Sequence, residues 1–89
     1  MREVYEKTIL KAAAKFIRKQ QPKAQIQIMD AINKLPWEGD IDKIEGTKKS
    51  YRVRTRDFRI FYTVDHGQMV VTVINGDNRG DAYKKHNVQ

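Results

Sequence analysis

The sequence of 89 residues contains no cysteine, only two histidines and no long apolar run. Without cysteine the chain can form neither a disulfide framework nor a thiolate metal site, which is typical of proteins in a reducing cytoplasm. Its start, MREVYEK, carries charges where a secretory signal needs apolar residues, and no stretch is long enough to span a bilayer. These absences predict a cytoplasmic protein that does not enter a membrane.

Residue types that bind metals or transfer protons are also scarce. His66 falls in a predicted turn and His86 is the fourth residue from the end of the sequence, so the histidine pairs of many nucleases are missing. Asp40 and Asp42 are predicted to lie in a loop with Glu45, far in sequence from the basic residues discussed below, and they do not have the spacing of metal ligands. We therefore expect neither a metal nor a cofactor.

The chain has the size and composition of one small globular domain, residues 1–89. Hydrophobic residues make up 39% and charged residues 33% of the sequence, which does not indicate disorder. The formal net charge is +7, and it is unevenly distributed. Residues 1–45 hold nine Lys/Arg and seven Asp/Glu, whereas residues 46–89 hold nine against four, so the excess positive charge lies mainly in the second half.

Two amphipathic helices are predicted in the first half. Apolar residues from Ile9 to Ile17 recur at helical spacing after Thr8, which is placed to cap the helix. Pro22 suits the first turn of a second helix, which we expect to run to Pro36. A break this short predicts an antiparallel hairpin. Residues 2–6 fit a short edge strand, and the loop WEGDIDKIEG is expected to be pinned to the core by Trp37, with base stacking by this ring as the alternative.

Three strands are predicted after this loop: residues 50–55, a second strand from Phe58 to Val64, and residues 69–75. Alternation places apolar side chains such as Val53 and Ile60 on one face. The turn between the last two strands contains Gly67, which can adopt a positive φ. The fold class is therefore α+β, with an N-terminal antiparallel helical hairpin packed on one face of a small, mainly antiparallel sheet.

The stretch YRVRTRDFRIFYTV, residues 51–64, holds four arginines within two predicted strands. Guanidinium groups gathered on adjacent strands repel each other, and their forked donors match phosphate oxygens. A localised basic patch of this kind is the electrostatic signature of a nucleic-acid partner. We predict that a nucleic-acid backbone contacts the basic residues of this stretch and of the C-terminal tail, namely Arg52, Arg54, Arg56, Lys84 and Lys85.

This pattern resembles the RelE/ParE toxin superfamily of bacterial toxin–antitoxin systems. The resemblance depends on a Tyr-Arg strand start, an aspartate turn, an aromatic-Arg-apolar-apolar-Tyr strand, and a late basic residue shortly before a tyrosine. It extends over nearly the whole chain and is most specific in residues 43–83. The RelE branch implies an antitoxin partner and cleavage of mRNA on the ribosome, without metal. The catalytic residues that the resemblance implies are Arg59, Arg79, Tyr83, Lys48 and Lys49.

The sequence departs from the family in one segment. Many members have glycine, one basic residue and then arginine, whereas here Asp77 follows Gly76 and the segment is one residue longer before Arg79. Tyrosine and lysine, with ordinary pKa values of about 10, need cationic neighbours to act as bases at neutral pH. Two alternatives therefore remain open: a ParE-like gyrase inhibitor and a non-catalytic nucleic-acid-binding domain.

Overall fold

The computed structural model describes residues 3–44, 46 and 49–78. These residues form an α+β fold in which two helices pack on one face of a five-stranded sheet. The elements in chain order are β1 (Glu6–Ile9), α1 (Lys11–Arg18), α2 (Pro22–Asn33), β2 (Asp40–Lys43), β3 (Ser50–Arg54), β4 (Phe58–Asp65) and β5 (Val70–Asn78).

The sheet is mixed, with the strand order β1-β5-β4-β3-β2. The pairs from β2 to β5 are antiparallel, but β1 runs parallel to β5. The N-terminal strand covers residues 6–9 rather than 2–6, because these residues pair with β5, with Thr8 opposite Thr72. The sequence predicted that Thr8 caps α1, and this is wrong. Leu10 occupies the N-cap position of α1.

The second helix begins at Pro22, as its sequence predicted, and ends at Asn33 rather than at Pro36. The structure does not confirm the predicted antiparallel helical hairpin. Helix α1 contacts β5 more extensively than it contacts α2, so α1 is held mainly by the sheet. Helix α2 contributes Ile28 and Ile32 to the core. In the described residues no helix is both long and apolar enough to cross a membrane.

The core lies between the helices and one face of the sheet. Alternate residues of β4 are buried there, as predicted, and the remaining residues of β4 point to the opposite side. We call this opposite, uncovered side the open face. The buried set comprises Ala13, Ile17, Ile28, Ile32, Leu35, Val53, Phe58, Ile60, Tyr62, Val64, Val71 and Val73, together with Tyr5 before β1.

Gly76 is required where α1 crosses β5. A Cβ atom at this position would overlap the ring of Phe16, which also packs edge-to-face on Phe58. The ladder between β4 and β5 contains a bulge: Tyr62 pairs with Val73, but Phe61 pairs with Asn75, so Ile74 is the extra residue. This bulge brings Gly76 beneath the helix.

Two loop predictions need correction. In the β4–β5 turn the residue with positive φ is Met69 (φ 58°), not Gly67. The turn is supported by a hydrogen bond that the backbone amide of Gln68 donates to Asp65 Oδ1. The WEGDIDKIEG segment is partly strand β2 rather than loop. Trp37 is about half exposed (46%); its Nε1 donates to the Glu3 carbonyl at 2.8 Å.

Candidate nucleic-acid interface

Three arginines lie together on the open face: Arg52 and Arg54, which were predicted to bind the nucleic-acid backbone, and Arg59, which the resemblance implied to be catalytic. Arg52 pairs with Phe61 across the β3–β4 ladder, and Arg54 pairs directly with Arg59. The three side chains are each about one-third exposed. Strand alternation therefore predicted their placement correctly. Their role in binding stays a prediction.

Arg52 and Arg54 are paired with carboxylates of the edge strand β2. Arg52 Nη2 donates to Asp42 Oδ2 at 3.3 Å, and Arg54 Nη2 lies 3.0 Å from the same oxygen. Asp40 Oδ2 lies 3.4 Å from Arg54 Nε. The prediction that these aspartates lie in a loop is wrong, because β2 is a strand that pairs with β3 and places Asp40 opposite Arg54.

Arg59 is paired with a carboxylate from the other side. Its Nη2 donates to Asp77 Oδ2 at 2.7 Å, and the two residues are direct partners in the β4–β5 ladder. The sequence predicted that the third strand ends at residue 75. This end is wrong, because β5 continues to Asn78.

Three carboxylates thus balance the three guanidinium groups of the open face. Like charges directly opposite, as in Arg54 and Arg59, destabilise a sheet unless they are compensated, and these aspartates supply the compensation. The arginines therefore do not need an external anion to be tolerated. Sequence reasoning missed this role of the aspartates, although the alternation in Asp-Ile-Asp (40–42) is a strand pattern that could have indicated it.

The guanidinium groups nevertheless keep donors for a further anion. Each arginine carries several N–H groups, and the recorded carboxylate contacts occupy only part of them. Nε of Arg52, Arg54 and Arg59 is buried and forms no hydrogen bond within the described residues, although Arg54 Nε lies within ion-pair distance of Asp40. The N–H groups that contact these carboxylates are of the type that also pairs with phosphate oxygens, so a phosphate on this face would compete with the aspartates for them.

The remaining predicted site residues are only partly within the described structure. Lys49 immediately precedes β3, and its carbonyl accepts a hydrogen bond from the Val64 amide at 3.3 Å. Arg56 is exposed in the turn between β3 and β4. Outside the described residues lie Lys48, Arg79, Tyr83, Lys84 and Lys85.

The tyrosines at positions 5, 51 and 62 lie away from the open face. Tyr51 and Tyr62 stack at 5.7 Å on the helix side of the sheet. Burial, with a smaller contribution from Tyr51, raises the pKa of the Tyr62 hydroxyl above its ordinary value of 10.0, which makes it unsuitable as a base. Tyr5 is buried, and its hydroxyl is 2.7 Å from His66 Nδ1. A tyrosine base for chemistry on the open face would have to come from Tyr83.

Among the described residues no three His, Asp or Glu side chains are grouped so that they could hold a metal ion. His66 is exposed at the β4–β5 turn, where its ring meets Tyr5 edge-to-face. It lies beside Tyr51 and Tyr62, and the same cavity is lined by Trp37. Trp37 therefore lies on the helix side of the sheet, which does not favour base stacking next to the arginines.

The sequence matches no protein-family model, and no curated protein matches it. Solved structures do match. One match is the toxin–antitoxin complex RelBE2 from Mycobacterium tuberculosis, with a TM-score of 0.75 and 15% identity over 86% of this chain and 100% of that chain. Another is the RelE–RelB complex from Pyrococcus horikoshii, with a TM-score of 0.70 and 24% identity over 88% of this chain and 98% of that chain. The isolated Escherichia coli RelE toxin matches with a TM-score of 0.70 and 19% identity over 96% of this chain and 99% of that chain.

These matches extend over nearly the full length of the matched chains. At 15–24% sequence identity they show that the backbone arrangement is shared. They agree with the residue pattern of β3 and β4 that carried the resemblance. The chain therefore has the fold of the RelE toxins.

Proposed function

We propose that this protein is the toxin of a type II toxin–antitoxin system and that it cleaves mRNA on the ribosome. The observation that carries the proposal is the gathering of Arg52, Arg54 and Arg59 on an open sheet face. Such a face, on a fold similar to RelE toxins, fits the phosphodiester backbone of RNA.

The proposed reaction is metal-independent attack of a 2′-hydroxyl on the adjacent phosphate. It requires removal of the 2′-hydroxyl proton, stabilisation of the charge that develops on the phosphate, and protonation of the leaving 5′-oxygen. We assign charge stabilisation to Arg59 and Arg79, removal of the proton to Tyr83, and supporting proton transfer to Lys48 or Lys49. The proton returns to the 5′-oxygen, so no other reactant is consumed.

The charge balance of the open face supports the proposed dependence on the ribosome. Since Arg52, Arg54 and Arg59 are each paired with carboxylates, their attraction for free RNA is reduced. A site that binds its substrate weakly gains most from a larger assembly that positions the scissile phosphate. We therefore expect slow cleavage of free RNA and fast cleavage of mRNA bound in the ribosome.

The proposed partner in the resting cell is an antitoxin. The matching solved structures include RelE–RelB complexes, and a chain with a net charge of +7 favours a partner with an acidic surface. Binding of such a partner would block RNA from the open face or prevent docking on the ribosome.

The test is to induce the protein alone in bacteria and to follow translation and DNA replication separately. We expect translation to stop first, with new mRNA ends that map within translated codons. Purified protein added to ribosomes programmed with a defined mRNA should reproduce these ends, and mRNA without ribosomes is the control.

Each alternative predicts a different outcome. A ParE-like inhibitor would stop replication first and block DNA supercoiling by purified gyrase, with mRNA left intact. A non-catalytic nucleic-acid-binding domain would bind RNA without producing new ends. Either result would contradict the proposed ribonuclease.

A further inference from the structure

Asp77 reaches the open face because of the bulge in β5. Tyr62 pairs with Val73 just before the bulge. If the ladder continued from this pair without the bulge, Arg59 would pair with Gly76 and Phe58 with Asp77. Phe58 is buried on the helix side, so Asp77 would then face the core. The extra residue, Ile74, shifts the register by one, and Asp77 becomes the direct partner of Arg59.

The contact between Asp77 and Arg59 is the shortest arginine–carboxylate contact of this face. Arg59 Nη2 lies 2.7 Å from Asp77 Oδ2, compared with 3.0 to 3.4 Å for the pairs of Arg52 and Arg54. Within the described residues Asp77 is the only ion-pair partner of Arg59, whereas Arg54 contacts two aspartates. One substitution can therefore release Arg59.

A carboxylate on a guanidinium group uses the same donors that a phosphate uses. Asp77 is also about half exposed, so an RNA strand that reaches Arg59 meets its negative charge. Two effects therefore oppose binding: the ion pair has to open, and the freed carboxylate repels the phosphate.

We propose that Asp77 is an internal competitor for Arg59 and sets the affinity of the open face for single-stranded RNA. The carboxylate occupies the position of a backbone phosphate and is displaced when RNA binds. This inference rests on the proposed function, in which the open face binds RNA.

The test compares Asp77→Asn with Asp30→Asn. Both substitutions are nearly isosteric and raise the net charge by one, but Asp30 lies on α2, where it pairs with Lys34. Binding of a short, fluorescently labelled, 2′-O-methylated single-stranded RNA, which cannot be cleaved through its 2′-position, is measured by anisotropy between about 50 and 200 mM salt.

We expect Asp77→Asn to bind this RNA about three- to tenfold more tightly than the parent protein at 150 mM salt, since a surface ion pair and one like charge are removed. Arg59 contacts the same phosphate in both proteins once Asp77 is displaced, so the slopes of log K against log salt should differ by less than about 0.7, the value for one phosphate contact on a single strand. Asp30→Asn should match the parent, because Asp30 lies on α2 and pairs with Lys34 rather than with an arginine of the open face.

A double-mutant cycle tests whether Asp77 acts through Arg59. In an Arg59→Ala background, Asp77→Asn should gain much less affinity than in the parent protein. An equal gain in both backgrounds would overturn the competitor role and leave only a general charge effect.

The remaining outcomes separate this inference from the proposed function. If the parent protein binds RNA, Arg59→Ala weakens binding and Asp77→Asn changes nothing, the competitor role is wrong and the RNA-binding face stands. If neither the parent nor Asp77→Asn binds RNA at low salt, both are wrong. Thermal unfolding of each variant confirms that the compared proteins are folded.

Discussion

Arg59 lies directly opposite Arg54 on β3 and Asp77 on β5. We expect Arg59→Ala to lower the rate of mRNA cleavage on ribosomes by about 10²–10³, the usual effect of losing a donor to charge that develops in the transition state. Its ion pair is partly exposed, so the free energy of unfolding should change by less than about 1 kcal/mol. Single-turnover cleavage and urea unfolding measure the two quantities.

Two variants control this prediction. Arg59→Lys keeps the charge but loses the forked donors, so its rate should lie between those of the parent and Arg59→Ala. Lys23 is exposed on α2, and Lys23→Ala should cleave at the parental rate. Parental cleavage by Arg59→Ala would remove Arg59 from the catalytic residues.

Tyr83 carries the second prediction at this scale. Since Tyr5, Tyr51 and Tyr62 lie away from the open face, Tyr83 is the remaining tyrosine that could accept the 2′-hydroxyl proton. Tyr83→Phe removes only the oxygen, and we expect cleavage to fall about 10²–10⁴-fold at neutral pH with binding retained. Raising the pH should speed the parent but not the variant.

Tyr51→Phe is the matched control, because it removes the same atom on the helix side of the sheet. It should cleave at the parental rate. If Tyr83→Phe also does so, the ring only packs against the core and the proton goes to another group, with Lys48 or Lys49 as the next candidate.

At the scale of elements, β5 shows how one irregularity determines both faces of a strand. The bulge places Gly76 under Phe16 and Asp77 beside Arg59. We expect Gly76→Ala to lower the free energy of unfolding by about 1–3 kcal/mol, because its Cβ would overlap the Phe16 ring. Urea unfolding measures this change.

Gly67→Ala is the control for this effect. A Cβ at Gly67 would lie 3.3 Å from Asp65 Oδ1, which would have to move by a few tenths of an ångström while it accepts the hydrogen bond from the Gln68 backbone amide, and Gly67 does not have a positive φ. The free energy of unfolding should change by less than about 0.5 kcal/mol. Equal stability of Gly76→Ala and the parent would mean that α1 does not pack closely on β5.

Strand β3 and helix α1 both carry positive charge, but on opposite sides of the sheet. We expect replacement of Arg52 and Arg54 by glutamine to weaken RNA binding and to reduce its salt slope by about 0.7 for each lost phosphate contact. The basic residues exposed on α1 are Lys11, Lys15 and Arg18. Their replacement should leave the RNA affinity and the salt slope unchanged. Salt titration of RNA binding compares the two variants.

An equal loss of affinity in the α1 variant would contradict the assignment of RNA to the open face. It would instead indicate that RNA is attracted by the net charge of the whole molecule. Ribosome association measured by sedimentation extends the same comparison to the proposed substrate assembly.

At the scale of the whole molecule, the proposed toxin function requires an antitoxin, and the net charge of +7 favours one with an acidic surface. We expect a partly disordered antitoxin with a helix that packs across the open face or across α1 and α2. Coexpression with the neighbouring small open reading frame should give a stable complex and restore growth. A protein that is harmless when expressed alone, with no binding by the neighbouring product, would contradict the toxin proposal.

Residues close in sequence determined much of this fold. The period-two pattern of β4 predicted which side chains are buried and that Arg59 shares a face with Arg52 and Arg54. Proline at the first turn predicted the start of α2 correctly. These features could be predicted because backbone geometry fixes the direction of a side chain from its neighbours alone.

The tertiary structure decided which residues meet. Asp42 is ten positions from Arg52, and Asp77 is 18 positions from Arg59; their contacts depend on strand pairing, on register and on the one-residue bulge at Ile74. A shift of one residue in register moves a side chain to the other face of a sheet. The sequence by itself therefore determined that arginines would share a face, whereas only the folded sheet decided that carboxylates would balance them, because register is set by packing between distant segments.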